Sequence, residues 1–400
     1  MRRFALASFL CLVLGACGGG SDGGSGQKLP GQLSDTLSPI ASLGERIFHD
    51  QSLSSSGHLA CATCHNPDTA HMAPGAGTGA IGTPDGGALL ATQGFRKTPS
   101  LRYLRYTPAF FFADDGTPTG GFARDGRASS FADQSVEPFL KPHEMDNGTA
   151  QALIARARVA AWADDFKKQF GANIFDDVNQ AFAQMRYALQ QYQKEDPDFA
   201  PFTSKYDAFL AGNTQLTDAE MRGLALFNNP VKGNCAACHP SARQADGTPP
   251  MFTDFTYDNL GVPRNTDIPA NADASYFDLG LCQVDRPELA SRTDLCGAFK
   301  VPTLRNVAIG GPYFHNGRFA TLKEALQFYV QRDTNPEKFY PLLPDGTADK
   351  FNDLPAAYHR NVNTEEVPYN RKPGEQPALS DAEIDDLIAF LGTLTDGYTK

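Results

Sequence analysis

Cysteine and histidine recur in one pattern at two places, "CATCH" at residues 61–65 and "CAACH" at 235–239. Cys-x-x-Cys-His suits covalent attachment of a c-type heme. Two thiols add to the vinyl groups of the macrocycle, and the adjacent histidine swings beneath the iron. A single turn must serve all three groups, which is why the spacing matters. Structural zinc would need two further ligands close to each motif, and a dithiol redox pair needs no histidine after its second cysteine. Cys61, Cys64 and His65, with Cys235, Cys238 and His239, therefore predict two covalent heme c groups. What faces each iron on its other side decides between electron transfer and catalysis.

The elements that hold these motifs are repeated too. "GERIFHD" (44–50) precedes the first motif as "GLALFNN" (223–229) precedes the second. Downstream, "TPSLRYL" (98–104) answers "VPTLRNV" (301–307), and "RDGRA" (124–128) answers "HNGRF" (315–319). Repetition on this scale reads as duplication of one heme-binding unit. The units are expected at 36–212 and 213–400. The offset that aligns "RDGRA" with "HNGRF" sets Tyr329 opposite Pro138. A phenolate oxygen can ligate ferric iron and proline offers nothing, so on this alignment the second heme is closed and the first open. A plain core aromatic on "LKEALQFYV" is the other reading of Tyr329.

Helical signals dominate. "TAQALIARARVAAWADDFKKQF" and "VNQAFAQMRYALQQYQKE" carry apolar residues at helical spacing. "LTDAEMRGLALF" and "LSDAEIDDLIAFLGTL" each open on Thr or Ser with Glu three residues later, a capping box. Long strands are not evident, and Gly/Pro-rich loops separate the helices. The expected fold is mainly α: two cytochrome c-like heme domains from an internal duplication, joined by long loops.

The chain has 46 acidic and 35 basic residues, a formal charge of −11. That balance is poor for nucleic acid but suits a basic electron-carrier partner. "MRR" followed by "FALASFLCLVLGA" describes an export leader, too short for a comfortable membrane span. Its end, "LGAC" at 14–17, resembles a bacterial lipobox, with Cys17 as the lipidated new N-terminus. Residues 1–17 are read as a lipoprotein signal peptide, and 18–35, beginning "GGGSDGGSGQ", as a flexible tether. Export also fits heme c, which is attached outside the bacterial cytoplasm. Of the remaining cysteines, Cys11 leaves with the leader, while Cys282 and Cys296 are expected to form a disulfide.

From about residue 40 to "DLIAFLGTLTD", the pattern "LGERIFHD…CATCH…TPSLRYL…DGRA…DQ…HEM…LFNN…CAACH…VPTLRNVAIGGPYFHNGRFATLKEALQFY" resembles the bacterial diheme cytochrome c peroxidase/MauG superfamily. The resemblance implies a peroxide-binding first heme and a second heme that stores or relays oxidising equivalents. At the position after "PYFHxG" where ordinary peroxidases of the family carry a Met ligand, MauG carries Tyr, and here stands Tyr329. No Met follows Met251, so a Met-ligated second heme is unavailable. The resemblance also implies Gln134 and Glu144 as distal residues. Glu144 would take a proton from peroxide and return it to the departing oxygen, and Gln134 would orient the peroxide. His143 is a rival acid–base group.

Departures from the family pattern carry their own expectations. "ATQGFRK" lacks the histidine that caps the first heme in many relatives, so the site is expected to be open when oxidised. His58, His71 and Met72 are the other local candidates to ligate the first iron. Arg124 stands where relatives have an interheme Trp, and Trp162, the single Trp, lies elsewhere. Tyr103 replaces an Asn that helps bind an interheme calcium, leaving carbonyls near Gly310 and Pro312 as its candidate ligands. His315 of "PYFHNG" is expected beside the second heme or on the path between hemes.

The expected function is a periplasmic peroxidase with two heme c groups and one calcium ion. It would take hydrogen peroxide and electrons from a small cytochrome c or cupredoxin. An oxygen ligand such as Tyr329 favours high iron oxidation states, including one with both irons at Fe(IV). Two alternatives stand beside it: a MauG-like oxidase that modifies Trp or Tyr of a partner protein, and a diheme electron carrier without catalysis. No nucleic acid is expected, membrane contact comes only through the N-terminal lipid, and relatives suggest a homodimer.

Overall fold

The computed structural model describes residues 37–74, 81–284 and 286–399. The leader, Cys17 and the whole 18–35 tether fall outside those residues. Among the described residues no helix is long and apolar enough to cross a membrane.

Two helix pairs frame the molecule. Helix α1 (Pro39–Phe48) starts at Ser38, whose hydroxyl accepts from the Ala41 N–H, and buries Ala41, Leu43, Ile47 and Phe48 on one face. The next three helices are α2 (Cys61–Cys64), α3 (Val136–Leu140) and α4 (Ala150–Ala157), followed by α5 (Ala163–Phe170). Helix α6 (Val178–Glu195) is capped by Asp177 and presents Ala181, Met185, Ala188, Leu189 and Tyr192 to α1. The crossing is close: a Cβ on Gly44 would fall 2.0 Å from the Ala188 carbonyl oxygen. Only glycine fits there.

The second pair repeats this joint. After α7 (Lys205–Leu210), helix α8 (Asp218–Phe227) packs across α10 (Asp381–Gly392), with α9 (Leu322–Gln331) between them in sequence. A Cβ on Gly223 would fall 2.1 Å from the Asp386 carbonyl oxygen. Gly44 and Gly223 open the two aligned segments of the sequence, so duplication extends to the backbone contact. Both expected capping boxes form, Thr217 with Glu220 and Ser380 with Glu383. Strands are short: β1 (Phe111–Phe112) pairs antiparallel with β2 (Pro118–Thr119), and β3 (Tyr257–Asp258) with β4 (Phe299–Lys300).

Two features differ from the sequence reading. The segment 149–170 breaks into α4 and α5, and the turn at Arg158–Ala161 leaves Val159 exposed while delivering Trp162 into the core. There the indole Nε1 donates to Asp50 Oδ2 at 2.7 Å. The division of the cores also falls earlier than residue 212. Tyr206 on α7 packs with Phe227, Phe252 and Phe390 in the second core, and Asp207 makes a bidentate pair with Arg305 at 2.8 and 2.9 Å. The first core gathers Phe48, Trp162, Phe166, Tyr192 and Phe199.

The halves are tied by Asp396, whose side chain is 2% exposed. Its carboxylate accepts from the Tyr103 hydroxyl and Asn306 Nδ2, both at 2.7 Å, and from Arg102 Nη1 at 3.1 Å. Cys282 and Cys296 are joined as a disulfide, and Cys61, Cys64, Cys235 and Cys238 are free thiols.

Candidate active site

One continuous cavity of about 490 Å³ runs between the halves and is lined by both Cys-x-x-Cys-His turns. At the first end, α2 is a single turn that sets Cys61 and Cys64 on the cavity wall, and His65 caps it with its N–H on the Cys61 carbonyl. His65 Nδ1 lies 3.2 Å from the carbonyl oxygen of His71, which sits at φ 55° to aim it there. At the second end, His239 Nδ1 lies 2.7 Å from the carbonyl oxygen of Phe252, at φ 52°. A carbonyl can only accept, so each Nδ1 carries the proton and each Nε2 keeps its lone pair. Burial drives the His65 pKa down to about 4 and lowers that of His239 as well, leaving neutral imidazoles. Burial also pushes all four cysteines up to about 12, so they are neutral thiols. Among the described residues no group of three or more His, Cys, Asp and Glu gathers as side-chain ligands for a metal ion. Paired neutral thiols beside an imidazole with a free Nε2, in a largely apolar cavity, fit a covalently held heme at each end.

The walls facing the two turns differ. A 3-10 turn (Asp133–Ser135) and α3 carry Gln134 and Pro138 to the first end, and Glu144 follows on the next turn. Burial is the main cause that raises Glu144 to about 7, opposed by Arg127 and reinforced by Glu137. The charge of Glu144 in turn helps raise Cys61 and Cys64, which places it close to the motif. Its carboxylate has no hydrogen-bond partner among the described residues. A loop presses on its backbone: the Gly87 N–H donates to the Glu144 carbonyl at 2.9 Å, and a Cβ on Gly86 would come within 2.1 Å of the His143 carbonyl oxygen. His143 is half-buried, its ring 5.2 Å from Phe95 and its pKa lowered by burial.

At the second end α9 presents Tyr329, on the segment aligned with the turn and helix that bear Pro138. Burial raises its phenol, with Asp258, Cys238 and Cys235 adding to the shift. The Tyr329 hydroxyl has no hydrogen-bond partner among the described residues, and its ring lies 5.5 Å from Phe314 and 6.3 Å from Tyr369.

Arg124 and His315 both line the cavity. Arg124 Nε donates to the Lys97 carbonyl at 3.1 Å, and the His315 ring stacks on Phe299 at 3.7 Å. Burial drives His315 down to about 3. Other candidates are placed elsewhere. Trp162 is in the first core, off the cavity wall, and His58 is exposed. His71 is a core histidine whose ring packs 4.0 Å from Phe199, while Met72 lines the cavity beside Gly310. Gly310 to Pro312 meets the first half at Met72 and Gly82, and Tyr103 directs its hydroxyl to Asp396. Sequence reasoning missed Lys97 and Lys300, which both line the cavity. Extending the repeat alignment by one residue, to "KTPSLR" and "KVPTLR", brings them out.

A family model described as di-haem cytochrome c peroxidase matches residues 38–215. The methylamine utilization protein MauG of Paracoccus denitrificans is 34% identical over 365 residues, covering 89% of this chain and 88% of that protein. Cytochrome c551 peroxidase of Nitrosomonas europaea is 30% identical over 346 residues, covering 84% and 87%. Among solved structures, the diheme peroxidase BthA from Burkholderia thailandensis E264 superposes with a TM-score of 0.83 at 40% identity, covering 90% of this chain and 87% of that one. The chain belongs to the diheme cytochrome c peroxidase/MauG superfamily, and membership implies two heme c groups.

Proposed function

We propose that this protein reduces hydrogen peroxide at the first end of the cavity and uses the second end to store or relay oxidising equivalents. One observation carries the reading: two like turns open on one cavity, but one faces Pro138 and Glu144 while the other faces an unpartnered Tyr329. Cys61, Cys64 and His65, and likewise Cys235, Cys238 and His239, would each hold a heme, which would supply the redox-active iron. Tyr329 would be the second iron's oxygen ligand. Pro138 leaves room for a small molecule at the first end.

The chain's own residues handle the proton. Glu144 is half-buried and has no hydrogen-bond partner among the described residues, with a pKa near neutrality, the condition for taking a proton and giving it back at physiological pH. Ionised, its carboxylate accepts the proton of the near peroxide oxygen and then returns it to the departing oxygen. Gln134 on the same wall can hold peroxide by an amide hydrogen bond. The Gly86–Gly87 loop fixes the backbone from which Glu144 reaches in. Electrons would come from a small cytochrome c or cupredoxin, in a periplasmic setting with the protein tethered by lipid on Cys17.

A MauG-like oxidation of a partner protein is the second reading. Tyr329 favours it, because an oxygen ligand supports high oxidation states. Arg124 in place of an aromatic interheme bridge weighs against it.

Optical and EPR titration of the oxidised protein with one equivalent of peroxide tests the proposal. A high-spin signal that disappears, with both hemes responding, supports it. A wholly low-spin protein that ignores peroxide in every redox state would mean an electron carrier instead.

A further inference from the structure

Most basic side chains lining the cavity bring their own counter-ion. Arg96 pairs with Asp125 and Asp278, each at 2.6 Å, and Arg127 pairs with Asp125 at 3.0 Å. Arg102 pairs with Asp396 and Arg305 with Asp207. Lys97, Arg124 and Lys300 are different: among the described residues none of them has a carboxylate within ion-pair reach. Their partners are neutral. Lys97 Nζ stands 5.8 Å from the centre of the Tyr313 ring, Lys300 Nζ donates to the Gly121 carbonyl, and Arg124 Nε donates to the Lys97 carbonyl. Lys97 is only 8% exposed. Burial pulls Lys97 down to about 7, Lys300 to about 8 and Arg124 to about 10. Two lysines and an arginine with no carboxylate at ion-pair distance, in one largely apolar cavity, are costly to keep charged unless an anion joins them, although Asp125 acts on Lys300 from farther off.

Their arrangement follows the duplication. Lys97 and Lys300 are repeat partners, and so are Arg124 and His315. The backbone repeats the exchange: the Lys97 N–H donates to the His315 carbonyl at 2.8 Å, and the Lys300 N–H donates to the Arg124 carbonyl at 2.8 Å. Each half thus pins its lysine on the other half's loop. The two repeat-related lysines, with Arg124 beside them, give each half of the joint a positive group that an anion can meet. Each heme carries two propionate carboxylates on one edge.

We propose that Lys97, Lys300 and Arg124 form a carboxylate clamp at the joint between the halves, which takes propionate arms of both hemes. The clamp rests on the two-heme reading above and gives Arg124 a role that an aromatic bridge could not fill. It would supply positive charge on the wall of the cavity that both hemes share instead of a stepping stone for electrons. Positive charge there favours the reduced form of each heme.

The test compares the holoprotein with Arg124→Gln, Arg124→Lys and Lys97→Met, scoring heme content and the midpoint potential of each heme by spectroelectrochemical titration. Arg124→Gln is expected to lower both midpoints, each by roughly a tenfold change in the ferric/ferrous equilibrium, ~59 mV for one electron. Lys97→Met should shift in the same direction, and Arg124→Lys should restore most of the parent value. If Arg124→Gln fails to fold, Lys97→Met reads the same quantity. Variants that load two hemes, react with peroxide as the parent does and keep its midpoints overturn the clamp alone. A parent protein that loads fewer than two hemes overturns the two-heme reading, and the clamp with it.

Discussion

The two ends of the cavity share a plan and diverge at one wall. Each has a Cys-x-x-Cys-His turn, a histidine whose Nδ1 is held by a carbonyl at positive φ, and a helix pair crossing at a glycine. The opposite wall carries Pro138, Gln134 and Glu144 at one end and Tyr329 at the other. Conserving the support while changing the facing side chain is an economical route from one heme unit to two roles. The parts that hold a macrocycle are costly to alter, because they are backbone contacts in close-packed cores. The facing side chains line the cavity wall instead.

The comparison can be broken by making the ends alike. Pro138→Tyr should give the first end a phenol like that of the second. The expected outcome is loss of the high-spin signal and of peroxide reactivity, read by EPR and stopped-flow absorbance. A variant that stays high-spin and reactive would show that Pro138 and Tyr329 do not occupy matching places. Glu144→Gln should leave heme content intact and slow the peroxide reaction by about 10²–10⁴-fold. Its pH profile sharpens the point. A carboxylate accepts a proton only when ionised, so with its pKa raised to about 7 the parent rate should rise with pH through neutrality and fall away below it. In Glu144→Gln that inflection should vanish, and its persistence would move the role to His143.

The shared support is open to test as well. Gly44→Ala and Gly223→Ala each drive a Cβ into a carbonyl of the crossing helix, at 2.0 and 2.1 Å. Overpacking of this kind typically costs about 1–3 kcal/mol, and the two losses should be similar in thermal or urea denaturation. Strongly unequal losses would mean that the halves are less alike than their backbones suggest. The smallest effect is expected of Gln134→Leu, which removes a hydrogen bond worth about 1 kcal/mol, a several-fold drop in peroxide rate with the pH profile unchanged.

Much of this was legible in the sequence. The two motifs, the repeated segments and the capping boxes are local patterns, so the turns, α8 and α10 sit where the residues predict. The Cys282–Cys296 bond followed from counting cysteines. Less local features were hidden. Nothing within "SKYDAFL" says that α7 packs in the second core, because that depends on Asp207 meeting Arg305 far along the chain. The break before Trp162 depends likewise on Asp50. That Lys97 and Lys300 have no carboxylate at ion-pair distance among the described residues depends on Asp125, Asp207, Asp278 and Asp396 pairing with arginines instead. A lysine in a sequence is ordinarily a solvated one, and only tertiary structure reveals the exception.

Asp396 has a consequence for the order in which this molecule is made. It follows Arg102, Tyr103 and Asn306 in the chain, yet it receives hydrogen bonds from all three. During synthesis, the first helix pair can close its core long before Asp396 arrives, whereas the seam between the halves must wait for it. Both Cys-x-x-Cys-His turns therefore precede in the chain the residue that ties the seam between the halves.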